Sequence, residues 1–160
     1  MTDISNQIMI RTITSEDLGD CARLYVKVFS EWPYEESWSI TQAYHYLSRF
    51  WKFDPEHCLL ALDKDDVIGA MFGYCYPWQD RINYYMQELF VDPDQRRSGH
   101  GQRLVRHLLD KLGESDVSIS LIANEATPAA AFYEEFGLRQ HRYYKFYCGT
   151  VKTNVEQPVL

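Results

Sequence analysis

The chain has 160 residues and a formal net charge of -7, with a sequence pI near 5.2. That charge excludes a general DNA or RNA binder, which needs a basic face to displace counterions from phosphates, and it matches a cationic small molecule or a basic peptide better. With 46% hydrophobic and 24% charged residues the chain reads as one globular domain, residues 1–160, able to bury a real core, and 12 Tyr, 8 Phe and 4 Trp supply rings for a binding site as well as for that core.

The first ten residues, MTDISNQIMI, lack a basic segment and a long apolar run, so no signal peptide is expected, and no apolar stretch reaches membrane-spanning length. The expectation is a soluble cytoplasmic protein with no membrane partner. Residues 8–13 alternate as a first strand, and Thr14 to Asp17 reads as a helix start with a hydroxyl and two acids. Leu18, Cys21, Ala22, Tyr25, Val28 and Phe29 then recur at helical spacing. An acidic, aromatic loop (SEWPYEESW) leads to a second helix over 40–51, patterned by Ile40, Ala43, Tyr44, Leu47, Phe50 and Trp51. After Asp54-Pro55, strands at 58–62 and 67–76 flank a short polar link and predict a β-hairpin. Pro77 to Asn83 reads as a turn and Tyr84 to Val91 as the next strand.

Asp92-Pro93-Asp94 breaks that strand, and Arg96-Arg97-Ser98-Gly99-His100-Gly101 runs into a helix over 99–112 with Leu104, Val105, Leu108, Leu109 and Leu112 on one face. Gly113 ends it, 117–123 reads as a buried strand, and Asn124 to Pro128 opens a last helix to Phe136. Residues 138–147 read as a final strand or pair of strands, and 151–160 as a loose polar tail. The fold class is therefore α/β: a mixed, mostly antiparallel central sheet flanked by helices, in the order β-α-α-β-β-β-α-β-α-β-β. Cys21, Cys58, Cys75 and Cys148 form no CxxC pair, which predicts free thiols in a reducing compartment and no metal site.

The turn at 96–101 is chemically pointed. A helix start has unpaired amides and a dipole that favours an anion, and glycines let a ligand approach the backbone. The third glycine of a dinucleotide fingerprint and the Gly-Lys-Ser/Thr of a Walker loop are both missing. Arg96-x-x-Gly99-x-Gly101, after a strand ending Phe90-Val91-x-Pro93, instead resembles the pyrophosphate loop of the GNAT superfamily of acyl-CoA N-acyltransferases, and the resemblance runs from about Met9 to Tyr147. It implies acetyl-CoA as cofactor. The amides of Arg97, Ser98, Gly99, His100 and Gly101 would wrap its pyrophosphate beside Arg96, and Phe90 and Val91 would pair with the pantetheine arm. The strand carrying them would diverge from the one at 117–123. Asn124 would touch the cofactor, and Tyr133, in the Phe-Tyr pair before Gly137-Leu138, would protonate the departing thiolate.

Transfer to an amine also needs a base, because most amines are protonated at pH 7. Glu88, flanked by Leu89 and Phe90 and three residues before Val91, is the candidate, directly or through water; Tyr85 and Gln87 are alternatives for orienting the amine. In similar proteins the segment between the first two helices walls the acceptor site. Here it holds Glu31, Trp32, Tyr34, Glu35, Glu36 and Trp38, a set suited to a cation, with Trp78 and Asp80 as further wall candidates. EWPYEESWSITQA with QELFVDP is similar to aminoglycoside 6'-N-acetyltransferase-like members. The leading reading is an N-acetyltransferase acting on a small cationic amine by direct attack in a ternary complex. A peptide or protein amine is the rival acceptor. A non-catalytic acyl-CoA sensor and a nucleotide-binding module are the rival classes, and the aromatic run RYYKFY is a candidate homodimer surface.

Overall fold

The computed structural model describes residues 8–113 and 117–150. Its elements in chain order are β1 (Met9–Thr12), α1 (Leu18–Ser30), α2 (Ile40–Phe53), β2 (Leu59–Asp63), β3 (Asp66–Trp78), β4 (Arg81–Val91), α3 (His100–Leu112), β5 (Val117–Leu121) and α4 (Ala129–Glu135). The strands lie side by side in that same order. Neighbours from β1 to β4 are antiparallel, and β4 and β5 are parallel. Tight links make hairpins of β2–β3 and β3–β4, β1 and β2 pair antiparallel through the α1–α2 connection, and α3 between β4 and β5 is the crossover that a parallel pair requires.

Local chemistry sets the element ends. The Asp17 carboxylate accepts from the Thr14 backbone N–H at 2.7 Å and receives both Arg11 guanidinium nitrogens, at 2.7 and 2.9 Å, which ties β1 to the start of α1. Ser39 and Gln42 cap α2 reciprocally: Ser39 Oγ accepts from the Gln42 N–H at 3.1 Å, and Gln42 Oε1 accepts from the Ser39 N–H at 2.9 Å. Gly113 closes α3 with a φ of 74°, a conformation that favours glycine.

Two cores follow from the two sheet faces. Leu60, Leu62, Ala70, Phe72 and Phe90 face α1 and α2, while Leu59, Ala61, Met71, Tyr84 and Met86 face α3. The parity along β4 changes partway. Tyr84 and Met86 point to the α3 side, but Phe90 points to the other side. The cause is a β-bulge: Phe72 pairs with Glu88 and Gly73 with Met86, so Gln87 is the extra residue. Residues after the bulge therefore swap faces.

Several expectations are corrected. The expected turn at 77–83 is mostly strand, because β3 runs to Trp78 and β4 starts at Arg81. Pro77 is tolerated there because β2 pairs with β3 only as far as Met71. The Cys75 N–H already points to that open side, where Asp54 Oδ2 accepts it at 2.9 Å, and Pro77, two residues on, would direct its missing donor the same way. On α2, Ile40 and Tyr44 are exposed, whereas Ala43, Leu47 and Ser48 are buried and Tyr46 packs against the core. β5 ends at Leu121 rather than 123. The final strand or strands expected at 138–147 are not formed: residues 138–150 have no regular structure, and Tyr143, Tyr144, Phe146 and Tyr147 are exposed. Two of those backbone donors are instead satisfied locally, Tyr143 and Tyr144 N–H each donating to His141 Nδ1 at 3.2 Å. Strand-favouring residues make a strand only where a neighbouring strand supplies hydrogen bonds. The tail at 151–160 lies outside the described residues.

Candidate active site

Three segments converge where β4 leaves β5. Pairing between these strands runs from Ile82 opposite Val117 to Met86 opposite Leu121. Among the described residues, Gln87 to Val91 then have no strand partner on that side, so the sheet opens next to Glu88, Phe90 and Val91. This is the divergence expected from the resemblance.

The loop after β4 is anchored to α1. Lys27 Nζ donates to Asp92 Oδ1 and to Asp94 Oδ2, each at 2.8 Å. Its charge is raised in persistence by those two carboxylates, which hold its pKa above the ordinary lysine value. The Asp92 N–H also donates to the Ile68 carbonyl at 2.8 Å. Beyond this anchor Arg97 (φ 63°) and Gly99 (φ 77°) take left-handed conformations. Gly99 is the residue before α3 and has no side chain to cap it. The first backbone bond of the helix runs from Arg103 N–H to the Gly99 carbonyl at 3.0 Å, so the amides of His100, Gly101 and Gln102 have no intrahelical acceptor. Arg96, Arg97 and Ser98 are exposed and His100 is buried, with burial holding the imidazole pKa below its ordinary value. Gly101 lets α4 close over the loop, since a Cβ there would stand 3.3 Å from Phe132 Cζ. The expected phosphate segment is thus an uncapped helix start, exposed at Arg96 to Ser98 and packed in at His100 and Gly101.

Glu88 lies just past the bulge on the α1–α2 face. Tyr46 Oη donates to its Oε1 at 2.7 Å, and Tyr25 Oη donates to the same oxygen at 3.4 Å. Burial raises its pKa to about 7, with the Glu36 charge adding to the rise and the two phenol hydrogen bonds opposing it. Such a carboxyl exchanges a proton near neutral pH. Tyr133 on α4 is half-buried, and its phenol is held protonated well above the ordinary tyrosine range by burial, then by the charges of Glu88 and Tyr34. Its ring packs with the α3-side core, on the other sheet face from Glu88. Asn124 is exposed three residues beyond the end of β5, and its Oδ1 accepts from the Ala126 N–H at 3.0 Å in a local turn.

The loop between α1 and α2 divides in two. Tyr34 and Trp38 pack inward: Tyr34 lies 4.7 Å from Phe29, and Trp38 lies 5.3 Å from both Tyr25 and Tyr46, ring to ring. The Trp38 indole donates to Glu36 Oε2, the acid that acts electrostatically on Glu88. Glu31, Trp32 and Glu35 stay on the exposed rim, Trp32 at 75%. Trp78 and Asp80 sit at the tip of the β3–β4 hairpin. Six residues separate Trp78 from Phe72, the partner of Glu88, so at ~3.3 Å per residue they lie roughly 20 Å away along the strand. They are not brought to the carboxylate. A succession of rings does run that way, from Phe53 to Tyr74 (5.5 Å), Tyr76 (6.1 Å) and Trp78 (6.4 Å).

Sequence reasoning missed Tyr46 and took Tyr25 for core alone. The overlooked signal is general: a tyrosine on a buried helix face carries a hydroxyl that needs a partner. The fold also gathers Asp54, His57 and Cys75, whose ligand-type atoms lie within 4.8 Å of one another. Hydrogen bonds account for this cluster. The Asp54 carboxylate meets His57 Nδ1 at 2.8 Å and the Cys75 N–H at 2.9 Å, and burial pushes the Cys75 thiol up to about 11.

An open mixed sheet, a divergent strand pair and an uncapped loop at a helix start define the architecture of an acyl-group transferase. Residues 20–138 match the acetyltransferase (GNAT) family, and the chain belongs to that family. It is similar to human cysteine-rich protein 2-binding protein, with 29% identity over 89 residues, or 56% of this chain; that stretch is 11% of the human protein. An integron cassette protein from Vibrio cholerae has a similar structure, with a TM-score of 0.71 at 21% identity, covering 90% of this chain and 93% of that one. Arabidopsis thaliana Naa50, solved in complex with the bisubstrate analogue CoA-Ac-MVNAL, matches with a TM-score of 0.60 at 19% identity over 81% of this chain and 82% of that one. Likeness at these identities speaks for the fold. Among the described residues no helix is long and apolar enough to cross a membrane.

Proposed function

We propose that the chain is a single-domain acetyl-CoA-dependent N-acetyltransferase that acts on a primary amine by direct attack in a ternary complex. The observation that carries this reading is Glu88: a half-buried carboxyl with a pKa of about 7 beside the open edge of β4. In the proposed reaction acetyl-CoA lies along Phe90 and Val91 with its pyrophosphate on the Arg96–Gly101 loop. When bound it supplies the thioester acyl group. Glu88, directly or through water, takes the proton from the ammonium or the attacking nitrogen. Tyr133, kept protonated by burial, donates to the departing CoA thiolate. Because burial holds the phenol above the ordinary range, complete transfer to a free thiolate (thiol pKa about 8.5) is uphill, so the phenol serves chiefly as a hydrogen-bond donor to the sulfur as the C–S bond breaks, with the proton moving only as charge builds there.

The preferred acceptor is a small cationic amine of the aminoglycoside or polyamine type. Glu36 and Glu88 supply two acids, and Trp38 supplies a ring face beside them. A peptide amine is the second reading. The exposed rim at Glu31, Trp32 and Glu35 favours it, because an open rim accommodates a chain, and the Naa50 bisubstrate complex supplies a relative built for one.

The first test is ligand-induced thermal stabilisation with acetyl-CoA, ATP and NAD, since a ligand of the folded state raises its apparent stability. Acetyl-CoA should act most strongly; a larger shift with ATP or NAD would support a nucleotide module instead. The second is CoA release with tobramycin, spermidine and a pentapeptide with a free N-terminus. Turnover of the peptide alone would remove the small-amine reading. Tight CoA binding with no transfer to any amine, unchanged by Tyr133→Phe, would support an acyl-CoA sensor.

A further inference from the structure

Tyr46 is held from two sides by adjacent residues of β4. Its Oη donates to Glu88 Oε1 at 2.7 Å and accepts from Gln87 Nε2 at 2.8 Å. In a regular strand, residues 87 and 88 would point to opposite faces. The bulge at Gln87 lets both reach the same phenol. The ring itself is fixed by Trp38 at 5.3 Å, Phe50 at 5.1 Å and Tyr25 at 5.8 Å. Tyr25 Oη approaches the same carboxylate oxygen as Tyr46, at a weaker 3.4 Å. Among the described residues both hydrogen bonds to this carboxylate fall on Oε1, which leaves Oε2 as the oxygen for an incoming amine.

We propose that Tyr46, oriented by Gln87, is a positioning residue that anchors Oε1 of Glu88 so that Oε2 faces the acceptor nitrogen. Resting on the reading of Glu88 as proton acceptor, this assigns the relay Gln87–Tyr46–Glu88 to the reaction. Tyr46 touches neither substrate; it acts through Glu88. The relay is one-way. Gln87 supplies N–H to the phenol oxygen, which commits the phenol proton to the carboxylate. Burial keeps Tyr46 protonated, its pKa held above the ordinary tyrosine range, so it remains a donor across the working pH range. The other titratable groups acting on Glu88 are Tyr25 from α1 and Glu36 from the α1–α2 loop, and the charge of Glu88 in turn raises Tyr85 on β4 and Tyr133 on α4. Of these Glu36 opposes ionisation and Tyr25 assists it. Tyr46 is the stronger of the two assisting hydrogen bonds, and it sets how far below its burial-driven limit the Glu88 pKa falls.

The test is a carbon-13 NMR titration of the glutamate carboxyl signals in the full chain, with the Glu88 signal assigned by its loss in Glu88→Gln. Wild type should titrate near 7, as should the acid limb of kcat/KM for whichever amine of the panel turns over fastest. Tyr46→Phe keeps the ring and its packing, and it should raise both midpoints by about one unit. At a pH below both midpoints that is a tenfold loss of kcat/KM, shrinking as pH rises. Tyr25→Phe should move the midpoints less. Gln87→Leu should lower kcat/KM with a smaller shift than Tyr46→Phe. A merely structural role would reduce the folded fraction without moving a midpoint. If Tyr46→Phe leaves the Glu88 midpoint where it was while Glu88→Gln remains inactive, the positioning role is overturned and the proton acceptor stands. If Glu88→Gln keeps a wild-type pH profile, the reading of Glu88 falls and this role falls with it.

Discussion

Gly73 offers a sharp test of the bulge that shapes the site. A Cβ built on it would stand 2.3 Å from Tyr84 Oη, 2.4 Å from Tyr84 Cζ and 2.5 Å from the Tyr85 carbonyl oxygen. None of these can retreat freely. Tyr84 is fully buried, its hydroxyl donates to the His57 carbonyl at 2.9 Å, and Tyr85 is part of the β3–β4 ladder. Gly73→Ala must therefore displace the ring or the strand. Overpacking of a filled core typically costs about 1–3 kcal/mol, and a buried hydrogen bond broken by the displacement costs about 1–3 kcal/mol more. The expected loss is about 2–6 kcal/mol, a large part of the 5–15 kcal/mol typical of a folded domain. Urea unfolding followed by far-UV circular dichroism reads it directly. Gly149→Ala is the control, because a Cβ there meets nothing within 4 Å, and it should stay within about 0.5 kcal/mol of wild type. A Gly73→Ala loss below about 1 kcal/mol would refute the reasoning, because the strands would then have room that the geometry denies them.

Other expectations follow from the same physics. Glu88 is raised from 4.5 to about 7, so its contribution to stability is full below 4.5 and is lost as pH rises through 7. The neutral isostere Glu88→Gln should accordingly stabilise the fold by about 3 kcal/mol at pH 8 and hardly at all at pH 4; equal effects at both would contradict the shift. Asp17 moves the other way, lowered from 3.8 to about 2 chiefly by its Arg11 hydrogen bonds. Its stabilisation is present above 3.8 and lost as pH falls through 2, and Asp17→Asn should destabilise by about 2 kcal/mol at pH 7, with the difference fading at pH 2. At the loop, Gly99→Ala meets a φ of 77°, which costs an alanine about 1–2 kcal/mol. Calorimetric titration with CoA should show weaker binding; undiminished CoA affinity would remove this turn from the proposed cofactor site.

Much of the fold was legible because its signals are local. Alternation between Met9 and Thr12, the helical spacing of Leu18 to Phe29, and the leucine stripe of α3 all depend on neighbours within a few residues. The loop from Arg96 to Gly101 was legible for the same reason. A proline break, two glycines and a helix start specify an uncapped amide cluster without any distant contact. Hairpin extent was less legible, since Pro77 looks like a breaker until the open side of β3 is seen to absorb its missing donor. The run at 138–147 failed in the opposite sense: its aromatic residues favour a strand, but among the described residues no neighbouring strand supplies the hydrogen bonds.

The sequence by itself determined the order of elements, the anion-ready turn before α3 and the presence of a glutamate near the end of β4. It did not determine which way that glutamate faces. Counting from buried Tyr84 by strict alternation sends Glu88 to the α3 side, away from both tyrosines that bind it. Only the tertiary structure inserts Gln87 as a bulge, reverses the parity and turns Glu88 toward Tyr25 and Tyr46. The physical reason is that a bulge is a property of two paired strands. It depends on Gly73 making room across the ladder, fifteen residues earlier in the chain than Glu88, and no local pattern around Glu88 records it.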